Sequence, residues 1–264
     1  MGEFDAIERI RRLLPDPPPG ETWSGDDAAV VADGILLAID TVAEGTHFTA
    51  DTPLDDVGWK AVVANVSDIA AMGGRPTYLL ASVAGPPGTD LDALAKGMAD
   101  AAAAHGCFLV GGDLANAATV VVTVAITGTV DGDPVLRSGA RPGDDLYVTG
   151  PLGHAAASQW TERPQARVDE GERARQAGAT AMIDVSDGLI ADLNHIADAS
   201  NVGYVLDDVI PTAPGATIEQ ALHGGEDYEL VYAGPPGLPG IRIGRCTADP
   251  TQRQDAQGWE HRFS

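Results

Sequence analysis

Residues 181–189, AMIDVSDGL, constrain this chain more than any other stretch. A short apolar run, Ala181 to Ile183, leads into Asp184, then Ser186, Asp187 and Gly188. Apolar runs of that length bounded by turn residues read as buried strands. Ser or Asp ahead of a new apolar period reads as a helix start. The pattern predicts a strand that carries Asp184 to its tip, with Ser186 or Asp187 opening a helix over about 188–199. Two carboxylates and a hydroxyl at one strand end suit a hard cation, or a polyanion held through one.

More acids are placed in the same way. Asp26 and Asp27 follow Gly25 and precede an apolar run at 28–32. The Asp33-Gly34 pair predicts a tight turn into a partner strand at 34–40, which would end on Asp40. Residues 54–72 read as a helix, with Val57, Ala61, Ala64 and Asp68 at helical spacing. Lys60, Ala64 and Asp68 are also successive i+4 neighbours, so periodicity leaves the buried face of this helix open. Asn65, Ser67 and Asp68 weaken a helix interior and need another reason to be there. Residues 108–110 predict a short strand ending at Gly111-Gly112-Asp113.

The remaining pattern alternates strands and helices. A helix over 3–14 is stopped by the prolines of 15–19, and strands are predicted over 77–83 and 119–130 around an alanine-rich helix at 91–105. Residues 131–144 are rich in turn signals, and the domain boundary is set there. The second half holds strands at 145–149, 204–207 and 241–245, with a polar stretch at 161–176. The whole is expected to be a two-domain α/β (α+β) protein, with mixed sheets flanked by helices.

Magnesium takes an octahedral oxygen shell and uses one or two carboxylates plus substrate phosphates per ion. Asp26, Asp27, Asp40, Asp68, Asp113, Asp184 and Asp187 together would serve several ions along one polyphosphate. Singly, each acid has an ordinary use. Asp187 serves as an N-cap, Asp26, Asp27 and Asp113 as turn residues beside glycine, and Asp40 as a strand end. Asp68 is the hardest to place so, because an acid in an apolar helix end is costly unless paired or bound to metal. No G-x-x-x-x-G-K-[ST] loop exists, and the protein-kinase signatures are absent too. Phosphate chemistry here would rest on metal ions and an occasional arginine, with Arg137 best placed.

Charge narrows the partners. The net charge is -23 and the lysines are Lys60 and Lys96 alone. That argues against direct binding of nucleic-acid backbones, which needs basic surface. It suits a high-salt cytoplasm, where salt screens repulsion among surface acids. No apolar run has the length of a membrane span and no signal peptide is evident. Cys107 and Cys246 match no metal-ligand spacing and read as reduced cytoplasmic thiols.

GDDAAV at 25–30, AIDTVAEGTHF at 38–48, KAVVANVSDIAAMGGRP at 60–76, VGGD at 110–113, RSGARPGD at 137–144, VTGPLG at 148–153, AMIDVSDGL at 181–189 and GGEDYEL at 224–230 occur in this order. Together they resemble the thiamine-monophosphate kinase family, of the superfamily that includes aminoimidazole ribonucleotide synthetase and selenophosphate synthetase. The resemblance runs to about residue 232. It implies the two-domain aminoimidazole ribonucleotide synthetase-like fold. Residues 1–136 would be a metal- and ATP-binding, dimerisation domain, and 137–264 an α+β domain completing the cleft.

The resemblance further implies a phosphotransferase with a phosphate group as acceptor, which phosphorylates thiamine monophosphate to thiamine diphosphate at the expense of ATP. Its metal-binding acids would be Asp27, Asp40, Asp68, Asp113, Asp184 and Asp187, holding several Mg2+ ions. Nucleotide contacts fall on Gly112, Asp113, Arg137 and Ser186, and substrate contacts on His47, Glu226 and Trp259. No residue is assigned a catalytic role beyond the metal ligands. A homodimer paired through its N-terminal domains is implied. The chain departs from the pattern at Ala38 and Ile39, where small hydroxyl residues commonly precede the strand acid. It is also short between Leu152 and Arg163 and after Tyr232. The rival readings are another ATP-using enzyme of the superfamily and a non-catalytic acidic protein that binds divalent cations.

Overall fold

A computed structural model describes residues 3–256 of the 264-residue chain. The first half runs α1 (Glu3–Arg11), β1 (Ala29–Val31), β2 (Ile35–Ala43), α2 (Leu54–Ala71), β3 (Arg75–Gly85), α3 (Leu91–Ala104), β4 (Phe108–Asn116) and β5 (Val121–Thr129). The second half runs β6 (Asp145–Val148), α4 (His154–Ala157), α5 (Val168–Ala177), β7 (Ala181–Asp184), α6 (Leu189–Ser200), β8 (Gly203–Leu206), α7 (Ile218–His223), β9 (Leu230–Gly234) and β10 (Ile241–Thr247).

Two five-stranded sheets result, ordered β1-β2-β5-β3-β4 and β7-β9-β6-β10-β8. β3 and β4 pair in parallel, and every other strand pair is antiparallel. Alternation along β5 sets the inner face of the first sheet: Val122, Val124 and Ile126 are buried, with partly exposed residues between them. α2 packs on that face with α3 beside it. The two helices approach so closely that a Cβ on Gly97 would lie 1.9 Å from the Asp55 carbonyl oxygen. Among the described residues the outer face of the same sheet is uncovered, with Ile39, Tyr78, Leu80 and Phe108 all exposed.

The apolar core beneath the first sheet does not stop at residue 136. Tyr147, Val168, Met182, Leu230 and Tyr232 belong to it. α5 brings the halves together, since Gly171 lies against the Ala70 carbonyl at the end of α2. This helix falls in the stretch noted in the sequence only as polar. Only Val168, Gly171 and Ala174 are buried along it, a stripe too narrow and too small to show as apolar periodicity.

Three further expectations are corrected. β2 does not end at Asp40 but runs on to Ala43, so Asp40 is mid-strand, opposite the buried Val124. β4 does not end before Gly111-Gly112-Asp113 but carries these residues inside it, because the glycines let it lie against β3: a Cβ on Gly112 would come 1.8 Å from the Ala81 carbonyl oxygen. α6 is capped by neither Ser186 nor Asp187. It starts at Leu189 behind Gly188, and the Asp192 carboxylate accepts the N–H groups of Asp187 and Gly188 at 3.3 and 3.1 Å. Among the described residues no helix is long and apolar enough to cross a membrane.

Candidate active site

The acids converge where α2 meets the end of β7. Asp27, Asp68 and Asp184 each offer a carboxylate oxygen within 4.8 Å of the others. Asp27 comes from the loop before β1, Asp68 from the last turns of α2 and Asp184 from the final position of β7. Asp40 lines the same cleft from the helix-facing side of β2. Its charge is among those that raise the Asp68 and Asp184 pKa values.

Burial and like charge dominate the electrostatics. Burial, then the nearby Asp27, pushes Asp184 up to about 8. Asp68 lies well above the usual carboxylate range through burial and then the charges of Asp40 and Asp184. Asp26 is pushed up to about 7 by burial and by Asp27. Two groups oppose this. Ser67 donates its hydroxyl to Asp184 Oδ2 at 2.6 Å. Arg137 donates Nη2 to Asp27 Oδ1 at 2.7 Å, while its backbone N–H reaches the Asp26 carboxylate at 3.1 Å. Crowded carboxylates that raise one another's pKa lack positive charge.

The donor set fits magnesium. It is all oxygen, as a hard cation requires. The Asp27 side chain is 1% exposed, and its Oδ2 has no hydrogen-bond partner among the described residues. A buried, unpaired carboxylate oxygen is costly unless a cation meets it. The stripe left open in the sequence is thereby resolved: Lys60, Ala64 and Asp68 all line the cleft.

Ser186 and Asp187 also line the cleft, from the turn between β7 and α6. Asp187 forms a second group with Asp192 and His195, again with ligand atoms within 4.8 Å. Burial and the nearby acids Asp187 and Asp184 raise Asp192, and burial and Arg137 lower His195. Neither Asp192 nor His195 was singled out by motif reading. The i+3 spacing on a helix that starts from DVSDG was the available signal.

The expected substrate contacts meet through Lys60. Its ammonium donates to the His47 carbonyl at 2.7 Å and pairs with Glu226 at 2.6 Å. His47 Nδ1 accepts the Ala43 N–H at 3.0 Å, which holds the loop after β2. Glu226 adopts φ 66°, and its N–H donates to the Ser186 carbonyl at 2.8 Å. His47, Lys60 and Glu226 all line this cleft, a cavity of about 1910 Å³ that extends onto Ile39, Tyr78 and Leu80 of the first sheet.

Gly112 and Asp113 are not part of this convergence. They sit on β4, the edge strand, with Asp113 exposed and opposite Ser82. Trp259 lies outside the described residues. Ile39 is 68% exposed and stands on the outer sheet face, so its side chain cannot reach the acids, while Ala38 packs partly buried on the core.

Residues 25–130 match the family model for AIR synthase related protein, N-terminal domain. A thiamine-monophosphate kinase of Halobacterium salinarum is 40% identical, over 94% of this chain and 93% of its own length. Its counterpart from Mycobacterium tuberculosis is 37% identical, over 98% and 89%. Among solved structures, AaThiL complexed with AMPPCP and TMP superposes with TM-score 0.88 at 31% identity, over 98% of this chain and 97% of its own.

Proposed function

Since the chain belongs to the thiamine-monophosphate kinase family, we propose that the converging acids are the magnesium site of an ATP-dependent phosphorylation of thiamine monophosphate. The enzyme is a thiamine-phosphate kinase that transfers a phosphoryl group from ATP to thiamine monophosphate, giving thiamine diphosphate. One observation carries the metal reading: Asp27, Asp68 and Asp184, from three separate elements, bring carboxylate oxygens within 4.8 Å of one another.

The reaction asks little covalent help of the protein. The acceptor is already an ionised phosphate, so no strong general base is needed. An oxygen of that phosphate bonds to the γ-phosphorus as the bond to the β,γ-bridging oxygen breaks and ADP leaves, without a phosphoenzyme. Positioning and charge neutralisation supply the rate. Asp27, Asp40, Asp68, Asp184 and Asp187 would hold magnesium, which would supply charge neutralisation at the phosphates. Arg137 supplies a fixed guanidinium beside them, suited to phosphate oxygens by its planar fork. Ser186 takes part in the nucleotide side. His47 and Glu226 orient the acceptor, tied together by Lys60.

Gly112 and Asp113 join the site in a homodimer. The uncovered outer face of the first sheet supports this reading. Tyr78 on β3 and Phe108 on β4 are 56% and 64% exposed, and exposed apolar faces of this kind mark interaction surfaces. Pairing through that face would bring one protomer's Asp113 toward its partner's cleft. The acidic composition supports work in a high-salt cytoplasm.

The deciding experiment incubates purified protein with ATP, magnesium and thiamine monophosphate in high salt. Thiamine diphosphate and ADP are expected in equal amounts. Folded protein that forms neither, or label trapped on the protein after γ-labelled ATP, would overturn the reading.

A further inference from the structure

Beside the large cleft, and sharing its Lys60–Glu226 wall, lies a second cavity of about 300 Å³. Trp160 lines both. It is 53% exposed, which packing does not explain for so large an apolar side chain. Its backbone is unusual as well. Gln159 and Trp160 adopt φ 55° and 56°, two consecutive left-handed residues with neither a glycine. Strain of this kind persists only where surrounding structure imposes it, and it clusters at ligand sites. Here the Trp160 N–H donates to the Ala155 carbonyl at 2.8 Å, and Thr161 holds the Ser158 carbonyl through its N–H and hydroxyl. These bonds hold the backbone from which the indole projects.

The charged groups around the indole are already partnered with one another. Glu162 and Glu226 line both cavities. The neighbouring cations are already engaged: Arg163 pairs with Asp55 and Asp56 and stacks over Trp59, and Lys60 pairs with Glu226. The two carboxylates are themselves partnered, Glu226 by Lys60 and Glu162 by His154 Nε2 at 3.0 Å, so what is left for a ligand is the aromatic face, the group that recognises an organic cation.

We propose that Trp160 is the platform on which the cationic heteroaromatic part of the acceptor substrate stacks. This rests on the reading of thiamine monophosphate as acceptor, whose thiazolium ring carries a permanent positive charge. The segment around Trp160 is one of the two that are short relative to the family pattern, the other following Tyr232. The tryptophan gives this chain a substrate contact from its own fold between β6 and α5.

The test compares the full-length protein with Trp160→Phe, Trp160→Leu and Trp160→Ala. Leu and Ala should raise KM for thiamine monophosphate about tenfold, ~1.4 kcal/mol, while KM for ATP stays unchanged. Phe should hold the KM within about threefold, because it keeps a π face. A Leu variant with unchanged KM for thiamine monophosphate overturns the proposal. Binding of magnesium–ATP by calorimetry certifies folding of each variant. As a second readout, thiamine monophosphate should quench a component of the tryptophan fluorescence that Trp160→Phe lacks. Equal quenching in both overturns the proposal even if a smaller variant fails to fold. If the unaltered protein makes no thiamine diphosphate, the proposed function fails; if only the Trp160 effects are missing, this inference alone fails.

Discussion

The Ser67 hydroxyl donates to Asp184 Oδ2 at 2.6 Å, joining α2 to the end of β7 across 117 positions of sequence. Both residues are buried. This bond favours the ionised carboxylate against burial, which otherwise pushes Asp184 up to about 8. Ser67→Ala should therefore weaken magnesium binding and destabilise the metal-free protein by about 1.5–3 kcal/mol where Asp184 is ionised, as loss of a hydrogen bond to a charged group does. Calorimetric titration and urea unfolding check the two effects. Unchanged magnesium affinity would remove Asp184 from the site.

Arg137 acts as the internal counter-charge of Asp27, paired at 2.7 Å against a carboxylate 1% exposed. Removing one partner of such a pair costs about 3–5 kcal/mol, because the other charge stays buried. Arg137→Ala should lower stability by that order in a chelator, and magnesium should recover much of the loss. Arg137→Lys should fall between, keeping the charge without the fork. Thermal unfolding with and without magnesium reads this, and an equal loss in both conditions would contradict it.

The raised carboxyls give the metal-free protein a pH dependence of definite sign. Asp26 at about 7 and Asp184 at about 8 bind protons in the folded state that the unfolded chain releases near 3.8. Their contribution is intact below the unfolded value, declines as pH rises, and is lost above the folded values. In a chelator and fixed salt, the melting temperature should fall between about pH 4 and about pH 8. Asp184→Asn should flatten that fall, and magnesium should oppose it by favouring the ionised forms.

Asp68 sits among the charges of Asp40 and Asp184. Asp68→Asn relieves that repulsion, so the metal-free variant should unfold at a higher temperature than the unaltered protein. Turnover should fall about a hundredfold or more, on the scale of losing electrostatic stabilisation at a transferring group. A stable variant with full activity would exclude Asp68 from the metal site.

Charge placed on the uncovered sheet face should separate protomers. Phe108→Arg, opposite Tyr78 on that face and 64% exposed on the edge strand, should sediment as a monomer and lose turnover about tenfold or more, while still unfolding cooperatively. A monomeric variant with full activity would show that Asp113 is not supplied across a dimer.

Much of this was legible locally. The apolar run 181–183 ending on Asp184 is β7, and the helix read over 54–72 is α2, because strand and helix periods are properties of neighbouring residues. The hairpin at Asp33-Gly34 forms as its turn chemistry requires, with Asp33 at φ 61°. α5 was hidden because its buried stripe is built from Val168, Gly171 and Ala174, small residues chosen for close approach to α2 and not for apolar area. The end of β2 was misplaced because Asp40 faces an open cleft, where a charge inside a strand need not break it.

Taken by itself, the chain determined which residues are chemically unusual: acids at element ends, a serine and an aspartate within an apolar helix, and an acidic pair following glycine before the first strand. It also determined that phosphate would have to be met without a lysine-bearing glycine loop. Only the tertiary structure decided that Asp27, Asp68 and Asp184 share one point, that Ser67 serves Asp184, and that Arg137 stands in for a cation. It also decided that Lys60 couples His47 to Glu226. Local sequence sets which way a side chain leaves its own strand or helix. The distance between side chains on different elements follows from how those elements pack, and that is settled by burial summed over both halves of the molecule.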